Sequence, residues 1–345
     1  MRFNVWAKWL LVVGVALTVA GCQRSPETLS GSIFGTFFEV TIAASERYNK
    51  EEIEQGVLDV LNDVDQQMST YKNDSNLMEL NRMPVNEAVA VPAELFHVLQ
   101  VSLAVSEQSS GAFDNTVGGL VNLWGFGPEG RVTKAPEAAA LETRLAEVGY
   151  QYVELNTANQ TVTRRSDVFV DLSGVAKGYA VDKVSEYLLS KGIENFLVNI
   201  GGDLRASGVK SEDAMWRIGI EVPTDQRQIA QHILPIQDIA VLGSGDYRNY
   251  FEENGVRYSH TIDPTTGMPI SHNLAAVHVA MPSATEADAW ATAFLVLGEE
   301  RGVALANERG IAALFIVREG EAFNSLMSEP FERQYAEELQ VPTVL

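Results

Sequence analysis

Strand-like runs follow one another along much of this sequence with no helix between them. Short stretches rich in β-branched and aromatic residues fall near 151–155, 160–164 and 167–171, and again near 194–200, 204–208 and 216–222. A doubly wound parallel sheet needs a long crossover, usually a helix, between successive strands. Here most successive runs are joined by turns, which favours an α+β fold of mixed or antiparallel sheets packed with helices. Further runs, FFEVTIAA, IAVLGSGDY, RYSHTI, AAVHVAM and IAALFIV, extend the same pattern. Helical periodicity is confined to a few segments. KEEIEQGVLDVLNDVDQQMS puts Ile53, Val57, Leu61, Val64 and Met68 on one face. A second segment covers 92–109 and opens on Pro92, a third covers 137–147, and a fourth contains TEADAWATAFLVLG. The Gly-rich stretch SSGAFDNTVGGLVNLWGFGPEG reads as loop.

The N-terminus carries a different signal. Arg2 and Lys8 precede the apolar run WLLVVGVALTVA, which is too short for an ordinary membrane span and has the order of a secretory signal. Small residues lead directly into Cys22, as in the lipobox of bacterial lipoproteins. Residues 1–21 are therefore expected to be a signal peptide, Cys22 the lipidated residue, 22–31 a flexible tether, and 32–335 the working domain, with two subdomains conceivable. Cys22 is the only cysteine, so an intrachain disulfide is impossible and thiolate catalysis is disfavoured. The net charge is −21 and no Lys/Arg-rich run occurs, which argues against nucleic acid as a partner. A phosphorylated ligand would need local cations or a metal to approach such a protein.

Several short constellations could carry chemistry. In ADAWATA, Asp288 and Thr292 stand four residues apart and share a helix face, offering two hard oxygen donors suited to Mg2+. Spacing alone is met more simply by a helix-terminal Asp and a solvent-facing Thr. SHTIDPTTG sets His260 just before an Asp-Pro turn, where it could act as a base near neutral pH. His272 stands just beyond that turn and remains an alternative, whereas His97, His232 and His278 lie in regular helix or strand patterns and read as structural. SGDYRNYF offers Arg248 as an anion fork, and NIGGDLR ends a strand in a double-Gly turn before Asp203. DLSGVAKGYAVD has Asp171 and Ser173 as candidate helix caps, then Gly174, Lys177 and Gly178 where helix N–H groups favour an anion. It matches neither the Walker loop nor the dinucleotide fingerprint.

Together, FGTFFEV, MSTYKNDS, GAFDNTVGGLVNLWGFGP, DLSGVAKGYAVD, FLVNIGGDLRASG, SGDYRNYF, SHTIDPTTGMPI and ADAWATAFLVLG resemble, in order, the motifs of the ApbE-type flavin transferases. The resemblance spans about residues 34–298. It implies a T-fold-related core with a smaller flap-like subdomain. It also implies an enzyme that cleaves the pyrophosphate of FAD, passes FMN to a Thr or Ser hydroxyl of an acceptor protein, and releases AMP. The implied acceptors are subunits of membrane redox complexes such as the sodium-pumping NADH:quinone reductase and its Rnf relatives, reached from a lipid anchor facing the periplasm, with the inner membrane expected. By the same resemblance Phe34, Tyr71, Ala112, Phe113, Asp114, Asp171, Lys177 and Ile262 contact FAD. The carbonyl of Gly174 and the side chains of Asp288 and Thr292 hold Mg2+, and His260 is the general base. Phe34, Asn115, Gly119 and Leu242-Gly243 depart from the residues common in the family. Two alternatives share these residues: a Mg2+-dependent FAD pyrophosphatase giving FMN and AMP, and a flavin-binding lipoprotein without turnover.

Overall fold

The computed structural model describes residues 25–132, 134–223, 230–320 and 322–341. Cys22 and the signal segment lie outside them. The scaffold is one eight-stranded sheet, entirely antiparallel, with helices on one face and a second, smaller core on the other.

The chain enters the sheet as a hairpin, β1 (Glu27–Ile33) and β2 (Thr36–Ile42), whose turn is Phe34-Gly35 at φ 53° and 73°. Residues 27–31 are thus strand rather than tether. The polar sequence ETLSGSI hides the pattern, because only Leu29 is buried while the backbone pairs with β2 along its length. In β2 the alternation is plain: Phe38, Val40 and Ile42 are buried, and Phe37 and Glu39 point the other way. Helix α1 (Lys50–Met68) is capped by the Asn49 side chain and buries Ile53, Val57, Leu61, Val64 and Met68, the face its periodicity predicted. A short helix, α2 (Asn76–Arg82), follows.

A three-stranded sheet of β3 (Ala88–Ala90), β4 (Val153–Asn156) and β5 (Thr161–Arg164) stands apart from the main sheet. Helix α3 (Ala93–Gln108) begins after Pro92 as expected. The Gly-rich stretch is not all loop: Gly118–Leu123 form α4. Helix α5 (Ala138–Leu145) packs beside it over a satellite core of Leu120, Trp124, Phe251 and Ile262. No strand forms at 167–171. Phe169 makes one isolated parallel bridge to Val117, and the Val170 N–H and C=O are both taken by the Asn81 side chain at 2.8 Å, so no ladder can form there.

Helix α6 (Ala176–Ser190) leads into β6 (Phe196–Ile200) and β7 (Asp203–Ser207) of the main sheet. A separate ribbon, β8 (Trp216–Glu221) and β9 (Ala230–Ile236), lies over the second face. Then come β10 (Ala240–Gly245), the hairpin β11 (Tyr250–Glu253) and β12 (Val256–Ser259), and β13 (Leu274–Met281). Helix α7 (Ala284–Arg309) outruns the expected segment by more than two turns. It is broken at Gly298, whose φ of 80° and ψ of 177° only glycine adopts readily. β14 (Ala312–Glu319) and β15 (Ala322–Met327) finish the sheet, in the order β1-β2-β6-β7-β10-β13-β14-β15, and α8 (Glu329–Tyr335) covers the second core with Phe331. Among the described residues no helix is long and apolar enough to cross a membrane.

Candidate active site

Two helix N-termini meet over the middle of the sheet. The first turns of α6 and α7 touch because Gly178 has no side chain; a methyl there would overlap the Ala284 carbonyl oxygen and press on Asp288 Cβ. Neither Asp171 nor Ser173 caps α6: its N-cap is Val175, and Asp171 Oδ1 instead accepts from the Ser173 N–H and hydroxyl in a local turn. The first-turn N–H of Gly178 donates to Asp288 Oδ2 at 2.9 Å. Asp288 is only 2 % exposed, so the simple reading of that helix as one with polar outward residues fails.

Beside this junction opens a cavity of about 940 Å3, within the usual range for small-molecule sites. It brings together Tyr71, Ala112, Phe113, Asp114, Asp171, Gly174, Lys177, His260, Ile262, Asp288 and Thr292, drawn from positions 71 to 292 of the chain. Phe34 does not line it. The hairpin turn packs Phe34 against the main core, and Phe37 of β2 lines the cavity instead. His272 is also absent from the walls: its ring packs at the Gly298 break, with both nitrogens buried and without a partner among the described residues. His278, which the strand pattern gave as structural, lines the cavity opposite Gly243, and burial, aided by His232, lowers its pKa to about 4. His97 borders a separate groove of about 440 Å3.

The walls divide by chemistry. Tyr71 is 68 % exposed at the mouth, which leaves its ring face open, while its hydroxyl donates to the Phe126 carbonyl oxygen at 3.4 Å. Phe113 and Ile262 give an apolar wall, with Ile262 pinned by a bridge to Pro269. Asp114 has its carboxylate engaged within the fold, accepting from the Thr116 N–H and hydroxyl and the Tyr150 N–H. It anchors the loop that presents Phe113. Burial raises its pKa despite those hydrogen bonds.

At the polar end, Lys177 ion-pairs with Asp203 and lies 3.9 Å from Asp288. Burial alone would lower the Lys177 pKa, but Asp203 and Asp288 outweigh it and the net shift is upward, so the ammonium is permanent. Two buried carboxylates thus share one cation. Burial, opposed by Lys177 and reinforced by Asp203, pushes Asp288 up to about 6. Asp203 was visible in the sequence as part of a Gly-Gly-Asp turn, but nothing local tied it to Lys177.

These residues fit a hard divalent cation. The excess negative charge calls for one, and the donors at hand are the Asp288 carboxylate, the Thr292 hydroxyl and the backbone at Gly174. A methyl on Gly174 would come within 3.1 Å of both Thr292 Oγ1 and Phe113, so the backbone stands against Thr292 only because no side chain intervenes. Thr292 Oγ1 lies 3.3 Å from Ser244 Oγ. Among the described residues no three His, Cys, Asp or Glu side chains gather as a metal cluster, so such a site depends on hydroxyl and carbonyl oxygens.

His260 faces the same cavity from the strand end after β12. Its Nδ1 is 3.0 Å from the Asn249 carbonyl oxygen, which can only accept, so the ring proton sits on Nδ1 and Nε2 keeps its lone pair. Burial holds its pKa below the ordinary imidazole value, with Lys177 acting the same way and the Asn249 carbonyl and Asp246 opposing. Arg248, two residues after Asp246, pairs with Glu221 and stacks on Tyr247 rather than standing free as an anion fork.

Known proteins of one family resemble this chain along most of its length. The ApbE family model matches residues 34–315. The FAD:protein FMN transferase of Vibrio cholerae is 40% identical over 329 residues, covering 94% of this chain and 98% of that protein. The FAD:protein FMN transferase of Escherichia coli K12 is 36% identical, covering 93% and 95%. Among solved structures, the flavin transferase ApbE from Vibrio cholerae superposes with a TM-score of 0.82 at 38% identity, covering 89% of this chain and 98% of that one. The apo flavinyl transferase ApbE of Pseudomonas stutzeri gives 0.82 at 38% identity, covering 90% and 96%.

Proposed function

The chain belongs to the ApbE family, and on that premise we propose that it is an FAD:protein FMN transferase that moves FMN from FAD to a Thr or Ser hydroxyl of an acceptor protein. The observation that carries this reading is the convergence of Lys177, His260 and the Asp288/Thr292 pair, three separate segments of the sequence, on one cavity of about 940 Å3.

In this reading the flavin and adenine rings lie against Tyr71, Phe113 and Ile262, and the pyrophosphate reaches the polar end. Lys177 holds one side of it with a fixed positive charge. Asp288, Thr292 and the Gly174 carbonyl would hold Mg2+. Bound there, Mg2+ would neutralise charge on the pyrophosphate oxygens and so ease departure of AMP. The acceptor hydroxyl oxygen attacks the FMN phosphorus, and His260 Nε2 takes its proton. The bond from that phosphorus to the bridging oxygen breaks, and AMP leaves with the oxygen. The Asn249 carbonyl keeps the imidazole in the tautomer this step needs. Acceptors of this chemistry include subunits of the sodium-pumping NADH:quinone reductase and its Rnf relatives. Cys22, if acylated, would tether the enzyme to the periplasmic side of the inner membrane, next to them.

The test is incubation of the protein with FAD, Mg2+ and the flavin-accepting domain of such a subunit. Flavin that stays with the denatured acceptor, with AMP in equal amount, supports transfer. Free FMN with AMP and an unmodified acceptor would instead identify a pyrophosphatase, and intact FAD a binding protein.

A further inference from the structure

The cavity meets β8 along the edge of the strand. Ile218 of β8 is buried in the second core, whereas Arg217 and Gly219 are exposed on the opposite face. Yet Arg217, Ile218 and Gly219 all line the cavity. A void that touches residues from both faces of one strand borders its hydrogen-bonding edge. β8 pairs with β9 alone among the described residues.

Register shows which backbone groups face that edge. Gly219 lies opposite Ile233. Ile233 donates its N–H to Gln340 at 2.7 Å and accepts from the Gln340 N–H at 2.9 Å, on the far side of β9. Its backbone therefore points away from β8, and Gly219 and Ile233 form a non-hydrogen-bonded pair of the ladder. The Gly219 N–H and C=O must then point outward from β8. Arg217 obeys the same alternation, lying opposite Pro235, which has no N–H to give. Gln340 closes the outer edge of β9. The outer edge of β8 has no such cover among the described residues.

We propose that this edge docks the acceptor: an extended segment of the acceptor polypeptide adds to β8 as a third strand and is led along it to His260. The proposal rests on the transferase reading, since hydrolysis of FAD needs no such edge. Geometry supplies the link to the reacting atoms. Glu221, the last residue of β8, pairs with Arg248, and the next residue, Asn249, accepts from both the backbone N–H and Nδ1 of His260. Glu221, Asn249 and His260 line the same cavity, so the end of β8 and the imidazole face one space. Gly219 leaves the exposed side clear for a second backbone to come close. Main-chain hydrogen bonds give affinity without demanding particular side chains, which suits an enzyme whose target is a hydroxyl on another polypeptide.

The test uses the full chain and the flavin-accepting domain of a sodium-pumping NADH:quinone reductase subunit. Gly219→Pro removes one outward N–H and leaves the ladder bonds to β9 in place. It is expected to raise KM for the acceptor domain about ten-fold, the loss of roughly one hydrogen bond, while the Kd for FAD stays unchanged. Independently, amide exchange in β8 of the wild-type chain is expected to slow when the domain, with its target Thr replaced by Val, is added. An unchanged KM in Gly219→Pro, a parallel loss of FAD affinity, or β8 exchange indifferent to the domain would overturn the proposal. If the wild-type chain leaves the native domain unmodified, the transferase reading fails instead, and the exchange measurement still decides whether β8 receives a polypeptide.

Discussion

Gly178 donates its backbone N–H to the carboxylate of Asp288 at 2.9 Å, a contact between residues 110 positions apart. The hydrogen bond fixes the carboxylate against the start of α6 and turns its other oxygen towards Lys177. Orientation of this one side chain thus depends on the meeting of two helix ends, and that meeting depends on a glycine.

Gly178→Ala should break the junction. The added methyl would overlap the Ala284 carbonyl oxygen and crowd Asp288 Cβ, and backbone cannot rotate away as a side chain can. A loss of about 1–3 kcal/mol in denaturant unfolding is expected, with FAD affinity falling alongside it. Unaltered stability would mean that the helix ends are not in contact.

Asp288→Asn should separate stability from activity. A carboxyl whose pKa is raised by burial to about 6 weakens the metal-free fold as pH rises from its unfolded value of 3.8, and the full penalty applies above pH 6. The amide avoids that penalty and can still accept from Gly178. In chelator at pH 8 the variant should be more stable than wild type by about 1–3 kcal/mol, with the two converging near pH 4. FMN transfer in Mg2+ should be lost.

Lys177→Met would leave Asp203 and Asp288 facing each other without a cation. Removing one partner of a buried charge group costs about 3–5 kcal/mol. Adding Asp203→Asn should recover part of that stability but not the transfer activity, because a pyrophosphate bound in the cavity would still lack the ammonium proposed to hold it. A double variant no more stable than Lys177→Met would show that the ion pair does not hold the two elements.

His260→Ala should slow transfer by about 10²- to 10⁴-fold with little change in FAD affinity. In the wild type, the acid limb of the transfer rate should lie below pH 6.5, because burial lowers the pKa of the free enzyme's imidazole and the base stays unprotonated further into acid. The rate should fall as pH drops through that lowered value. A limb above pH 6.5, or equal loss of FAD binding in His260→Ala, would place the residue in another role.

Local patterns were legible in the sequence, whereas relations between distant backbones were not. The buried face of α1 followed from periodicity because a helix repeats its environment every few residues. The motif residues were readable as a set because each block has its own spacing, and among the described ones all but Phe34 meet at the cavity. Phe34 packs against the main core instead, because a motif gives position along the chain but not the direction a hairpin turn takes. His272 stayed open for a similar reason: nothing nearby in sequence announces the Gly298 break that its ring packs against. The Lys177–Asp203 pair and the outward edge of β8, unpaired among the described residues, arise only once the sheet and the ribbon are assembled.

The most direct test of the account is mass spectrometry of the acceptor domain after reaction with FAD, run once with Mg2+ and once with excess chelator. The account predicts one FMN added to a Thr or Ser of the acceptor in Mg2+ and an unmodified acceptor in chelator. The same adduct at the same rate in both reactions would contradict it.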